Sequence, residues 1–311
     1  MARELHPDAK QFLREREDAP GLHEVGAKEA RRQHRQSAVP TGDPEPVGRV
    51  EDVVVRSDGH GVGVRLYAPE GSGPFPTLIW AHGGGFVLGD IETEDPVGRA
   101  LTNATGCLVA SVDYRLAPEH PFPAALRDMY AVTKWASREI DAHGGDPDRL
   151  AVGGSSAGGS LAASTTLLAR DRDGPAIGYQ VLGYPAVSYD REFPSHEAYD
   201  GLFLSAAERE WVTEQYLADP LHGYNPYAHP LRESDFGDLP PATIITAGFD
   251  PIQDACTAYA DRLTAAGVEV THRHYDDMIH SFLSRVGDPE WERTREAMAA
   301  IGDDLADRFR A

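Results

Sequence analysis

The chain has 311 residues, 41% of them hydrophobic, which is ample for one large domain with a buried core. A formal net charge of −21 argues against nucleic acid or an anionic membrane as partner, because phosphate surfaces are held by clustered Lys and Arg. Cys107 and Cys256, with no secretory cue around them, give neither a disulfide framework nor a cysteine-rich metal site.

Three lysines stand against 26 arginines. Two readings fit that skew: arginine-rich coding in a GC-rich genome, or adaptation to high salt, where an acidic surface stays soluble while salt screens its self-repulsion. The opening MARELHPDAKQFLRERE is charged and helix-like, and no apolar stretch near it has signal-peptide or membrane length, so a cytoplasmic protein is expected. Residues 1–45 are predicted to form one or two polar amphipathic helices and a Pro/Gly linker within AVPTGDPEPVG.

The core is predicted to begin at residue 46. VEDVVVRS and VGVRLYAP alternate apolar and polar residues around an Asp-Gly turn, which predicts an antiparallel edge pair. Beyond them PTLIWAHG, GCLVASVDYR, RLAVGG, GYQVLGYPAV, ATIITAG and VEVTHRHY are short β-rich runs. They are separated by helical periodicity such as FPAALRDMYAVTKWASREI. That alternation predicts an α/β fold with a mostly parallel sheet and helices on both faces. From 188 to 238 there is no strand pattern, only scattered aromatics among charges, which predicts a helical insertion. The core is therefore expected over 46–187 and 239–311.

The chemistry-bearing residues sit at strand ends. In VGGSSAGG, the sequence Gly154-Ser155-Ser156-Ala157-Gly158 has the G-x-S-x-G form between a strand and a helix, where a strained turn exposes the serine. Centring the motif on Ser155 would put Ala157 at its end, so Ser156 is the candidate nucleophile. Strand TLIWA runs into His82, Gly83, Gly84, Gly85 and Phe86. Three glycines end a strand where backbone amides must approach something, here the oxyanion of a tetrahedral intermediate. A phosphate loop would bring a Lys and a Ser or Thr, which are missing.

An acid and a base should follow in the order Ser, Asp, His. Asp250 follows ATIITAGF and His280 follows the last strand, so Asp250 would orient His280, and His280 would take the proton of Ser156. Asp254, one turn into the next helix, is the main rival for the acid; Asp276 and Asp277 precede His280 in its own loop. His272 and His274, spaced i, i+2, share one face of a strand, and no third ligand supports a metal site there. No cofactor or metal is required by this machinery.

HGGGF, YRLAPEHPFPAAL (114–126), GSSAGG, FDPIQD and HSF, in this order, together resemble the hormone-sensitive-lipase-like esterases of the α/β-hydrolase superfamily across nearly the whole chain. The resemblance implies an eight-stranded α/β-hydrolase fold with a helical cap built from the N-terminal helices and the 188–238 insertion. It implies a serine carboxylesterase acting on short to medium acyl esters through an acyl-enzyme, with Ser156, Asp250 and His280 as triad. The oxyanion hole would come from the amides of Gly84 and Gly85, in the Gly83–Gly85 run, with Ala157. A homodimer through the edge strand 268–275 is a further implication, and the partner otherwise expected is a small-molecule ester. Ser155 departs from the family's usual elbow, which carries Asp, or Thr in another subgroup, at that position. The same machinery would also serve an amide, a carbamate or an acetylated sugar, and a non-catalytic receptor is a third reading that the presence of His280 disfavours.

Overall fold

Three helices precede the first strand in a computed structural model that describes residues 3–38, 43–287 and 290–310: α1 (Pro7–Glu15), α2 (Leu22–Val25) and α3 (Ala27–Ser37). Sequence periodicity predicts one or two. The extra break is at Gly26, whose φ of +77° ends the single turn of α2 and redirects the chain. Residues 39–42, in the expected linker, lie outside the described residues.

Strands β1 (Arg49–Ser57) and β2 (His60–Ala68) form the expected antiparallel hairpin. Its two-residue turn, Asp58-Gly59, has positive φ at both positions, the hand that matches strand twist. The chain then alternates through β3 (Phe75–Ala81), α4 (Asp95–Thr105), β4 (Leu108–Asp113), α5 (Ala124–Glu139), β5 (Gly145–Ser155), α6 (Ala157–Asp171) and β6 (Tyr179–Gly183). After β6 come α7 (Pro194–Ala198) and α8 (Ala206–Tyr216) with no strand among the described residues. The alternation closes with β7 (Ala242–Phe249), α9 (Gln253–Ala265), β8 (Val270–Ile279) and α10 (Glu292–Phe309).

The eight strands lie in the order β1-β2-β4-β3-β5-β6-β7-β8; β2 is antiparallel to both neighbours, and the rest are parallel. This is the α/β architecture predicted from the sequence. Central strands such as ATIITAGF are buried on both faces, which is why they read as continuous apolar runs, whereas the edge strands alternate. On β3, Leu78 and Trp80 pack with Leu101 of α4 and Met298 of α10, while Ile79 packs with Met129 of α5 and Leu161 of α6 on the opposite face. Strand β5 starts four residues before the apolar run RLAVGG, because Gly145 pairs with Phe75 across a register shift.

Helix α6 is buried along almost its whole length, so it forms the floor of one layer. Each of its fully buried leucines contributes about 2 kcal/mol by leaving water. At the other end of the parallel strands the N-terminal helices meet the segment after β6. Glu208, the third residue of α8, caps its own helix through Ser205 and accepts the Leu22 N–H of α2 at 3.2 Å. Phe12 of α1 and Phe203 approach to 5.9 Å between ring centroids.

Candidate active site

Ser156 lies between the end of β5 and the start of α6 with φ 54° and ψ −116°, a conformation that L-residues rarely adopt and that costs on the order of 1 to 3 kcal/mol. Its N–H donates to Gly183 O at 2.8 Å, and its carbonyl accepts from Ala186 and Ser160. Those bonds on either side hold the strained turn. The turn also packs α6 hard against β3: a methyl at Gly158 would overlap the carbonyl oxygens of Ala81 and His82. That close approach explains the glycine at the end of G-x-S-x-G.

The imidazole of His280, in the turn after β8, has Nε2 2.9 Å from Ser156 Oγ and Nδ1 2.7 Å from Asp250 Oδ2. Asp250 is fully buried, and its other oxygen accepts the Ile252 N–H at 2.9 Å. A carboxylate on Nδ1 selects the tautomer that keeps Nε2 free to accept the serine proton. Three residues from the ends of three different strands thus meet in a chain able to activate a hydroxyl.

The rival acids are engaged elsewhere. Asp254 Oδ2 accepts the Ser195 N–H at 2.9 Å, tying the start of α7 to α9, and Asp277 is paired with Arg293. Asp276 lies in β8 with its backbone packed against Gly248. His272 and His274 do share one face of β8, where both rings lie 2.9 Å from Thr246 Oγ1. Among the described residues, no group of three or more His, Cys, Asp or Glu is arranged around a metal position.

Facing Ser156 is the loop after β3. Gly84 and Gly85 have φ of +108° and +61°, and neither N–H has a hydrogen-bond partner among the described residues. The Ala157 N–H is the first of the four orphan donors of α6. Gly83 N–H likewise has no partner among the described residues, while its carbonyl accepts from His82 Nδ1 at 2.7 Å and a methyl on it would sit 3.2 Å from Ser155 Oγ. Ser155 is therefore wedged under the glycine loop.

The loop is held from behind. The Tyr114 ring stacks on His82 at 4.2 Å and its hydroxyl donates to His82 O at 2.8 Å, while the Ala117 N–H donates to Phe86 O at 2.9 Å. Glu119 forms a two-pronged pair with Arg31 of α3, whose guanidinium also reaches Ala117 O and Val87 O. The YRLAPEHPFPAAL segment thus holds the glycine loop in place. Burial holds the His82 imidazole down to about 4, so it is neutral at ordinary pH.

Ser156 and His280 open into a cavity of about 1300 Å³, walled by α1, α2, α8 and the loops around them. Some of its lining could not be found from motifs. Glu94 is buried beneath it, with Trp80 Nε1 donating at 2.8 Å, and burial pushes its carboxyl up to about 7. In sequence it is only an acid before a helix, the commonest place for one. The Tyr189 hydroxyl and His196 Nε2 are buried without a partner among the described residues, and both residues line the cavity.

A family model described as alpha/beta hydrolase fold matches residues 78–284. A carboxylesterase of Mycobacterium tuberculosis, NlhH, is 39% identical over 271 residues, covering 83% of this chain and 83% of its own length. An arylesterase of Saccharolobus solfataricus is 37% identical, covering 86% of each chain. Among solved structures, a hyperthermophilic esterase from the archaeon Pyrobaculum calidifontis superposes with a TM-score of 0.92 at 38% identity, over 99% of this chain and 100% of that one. Among the described residues no helix is long and apolar enough to cross a membrane.

Proposed function

The chain belongs to the alpha/beta-hydrolase family and is a carboxylic ester hydrolase, and we propose that Ser156, His280 and Asp250 are its catalytic triad. Ser156 Oγ attacks the ester carbonyl as His280 Nε2 takes its proton. Asp250 fixes the imidazole and stabilises the imidazolium that forms. The amides of Gly84, Gly85 and Ala157 receive the developing oxyanion, where each donor contributes about 3 kcal/mol to the transition state. Gly83 provides clearance above Ser155. Collapse of the tetrahedral adduct returns the proton from His280 to the leaving alcohol and leaves an acyl-Ser156. Water, deprotonated by His280, then releases the acid.

The observation that carries this reading is the imidazole of His280 lying within hydrogen-bond distance of both Ser156 Oγ, beside it in the cavity lining, and the buried Asp250. Polar and charged groups interrupt the aromatic lining, which favours short to medium acyl chains over long ones. The proposed division is a catalytic core of 46–187 and 239–311 under a cap of 1–45 and 188–238, supported by the contacts between α2 and α8. The outer edge of β8, which no other strand pairs among the described residues and where His6 donates to Asp277 O, is where a second copy would join. A burst of p-nitrophenol equal to the enzyme concentration, from p-nitrophenyl acetate or butyrate, is the expected sign of the acyl-enzyme. Turnover without dependence on Ser156 would overturn it.

A further inference from the structure

Two cations of the cavity lining, Arg285 and Arg16, have no counter-ion among the described residues. Arg285 follows His280 by five residues, with its guanidinium carbon 4.0 Å from the Phe12 ring centroid, 5.8 Å from Phe203 and 5.9 Å from Trp291. Its Nε is sealed from solvent without a hydrogen-bond partner among the described residues, and no carboxylate there lies within ion-pair distance. Arg16, exposed at the rim, stacks over Phe12 at 5.5 Å and Phe203 at 5.9 Å. It likewise has no acid partner among the described residues. The chain has 50 Asp and Glu against 29 Lys and Arg, so acids were plentiful.

Aromatic rings satisfy the faces of a guanidinium and leave its N–H donors, which point outward in its plane, without acceptors. A buried donor in that state, here Nε of a half-buried guanidinium, is costly unless a ligand accepts from it. The location is informative. Phe203 and Tyr184 both flank the His280 ring, at 6.1 and 4.7 Å, and Phe203 also flanks Arg285, so the guanidinium stands one ring removed from the imidazole. Among the described residues Arg16, His34 of α3 and Tyr184 are the titratable groups that face Arg285, and none is an anion at neutral pH. Burial brings Arg285 down to about 10, which leaves it charged.

We propose that Arg285, with Arg16 at its rim, binds a carboxylate carried by the substrate itself, so that the substrate class is esters bearing a second, ionised carboxyl group. The proposal rests on Ser156 and His280 being the reacting pair. The carboxylate accepts the in-plane N–H donors in the two-pronged geometry that guanidinium favours. Two chemistries share this feature: half-esters of dicarboxylic acids, with the charge on the acyl side, and O-acyl hydroxy acids, with the charge on the alcohol side.

The test compares kcat/KM for each anionic ester with its neutral methyl-ester or amide isostere, in the unmodified enzyme and in Arg285→Met and Arg285→Lys. Loss of Arg285 is expected to lower the anionic-to-neutral ratio about thirtyfold, mainly through KM, the effect of one charge-assisted contact. Arg285→Lys should recover part of it. The side of the ester on which the ratio falls identifies the chemistry. A ratio unchanged within threefold, or both esters declining in parallel, would mean that Arg285 only latches α1 through Phe12, and would overturn the proposal. Should Arg285→Met not fold, the unmodified enzyme decides: KM for the anionic ester at or below that of its isostere supports the site, despite the net negative charge. A tenfold higher KM contradicts it. Failure of the triad reading would register separately, as turnover of p-nitrophenyl butyrate by Ser156→Ala.

Discussion

His280 Nε2 stands 2.9 Å from Ser156 Oγ although 124 residues of chain separate them, and the contact exists because both residues follow parallel strands of one sheet. Replacing Ser156 by Ala is expected to lower kcat by on the order of 10⁴-fold or more. Ser155→Ala should retain turnover, because Ser155 Oγ lies under Gly83 and outside the hydrogen-bonded triad. Steady-state kinetics on p-nitrophenyl butyrate distinguishes them, and the opposite ranking would assign the nucleophile to Ser155.

The two aspartates near the start of α9 should separate by phenotype. Asp250→Asn leaves Nδ1 of His280 facing an amide and favours the wrong tautomer, so kcat is expected to fall roughly 10³- to 10⁴-fold. Asp254→Asn weakens the hold on the Ser195 N–H and is expected to lower stability by about 1 kcal/mol with catalysis largely intact. Chemical denaturation and kcat on both variants provide the check. Equal catalytic losses would mean that Asp254 shares the role of the acid.

Gly158→Ala forces a methyl into the Ala81 and His82 carbonyl oxygens. Backbone cannot yield there as a flexible side chain would, so a loss on the order of 3 kcal/mol is expected. A melting temperature within a degree of the parent would contradict the close packing of α6 on β3.

Glu94 predicts a pH dependence of stability. Its carboxyl is raised by burial from 4.5 to about 7 in the folded protein. Between those values the folded state binds the extra proton, so this contribution is complete below about pH 4.5 and is lost as pH rises through 7. Burial is nearly complete, and the loss amounts to a few kcal/mol. Glu94→Gln removes the titration. Urea unfolding at pH 5 and pH 8 should show a smaller drop for the variant than for the parent; equal drops would show that Glu94 titrates at an ordinary value.

The residues of the proposed triad and the glycine loop are legible in sequence for a local reason. A nucleophile on a strained turn, and amides that must approach an oxyanion, each demand glycine at fixed offsets beside a strand end, so Gly158 and Gly83–Gly85 betray them. Asp250 and His280 follow from strand order. Roles fixed by packing across long chain separations leave no such trace. Asp254 reaches Ser195 across 59 residues, and Arg285 meets Phe12 and Phe203 only once α1 has folded over the sheet. Glu94 looks like an ordinary helix-start acid until Trp80 is placed beside it. The break at Gly26 was invisible for another reason: one turn of helix is too short for a period of 3.6 residues to register.

The nucleophile is the atom that becomes covalently bonded. Incubation with a p-nitrophenyl alkylphosphonate, followed by peptide mapping of the adduct by mass spectrometry, reads that atom directly. The predicted result is one phosphonyl group per chain, on Ser156, and none on Asp250→Asn within the same time. An adduct on Ser155, or inhibition with no adduct on either serine, would contradict it.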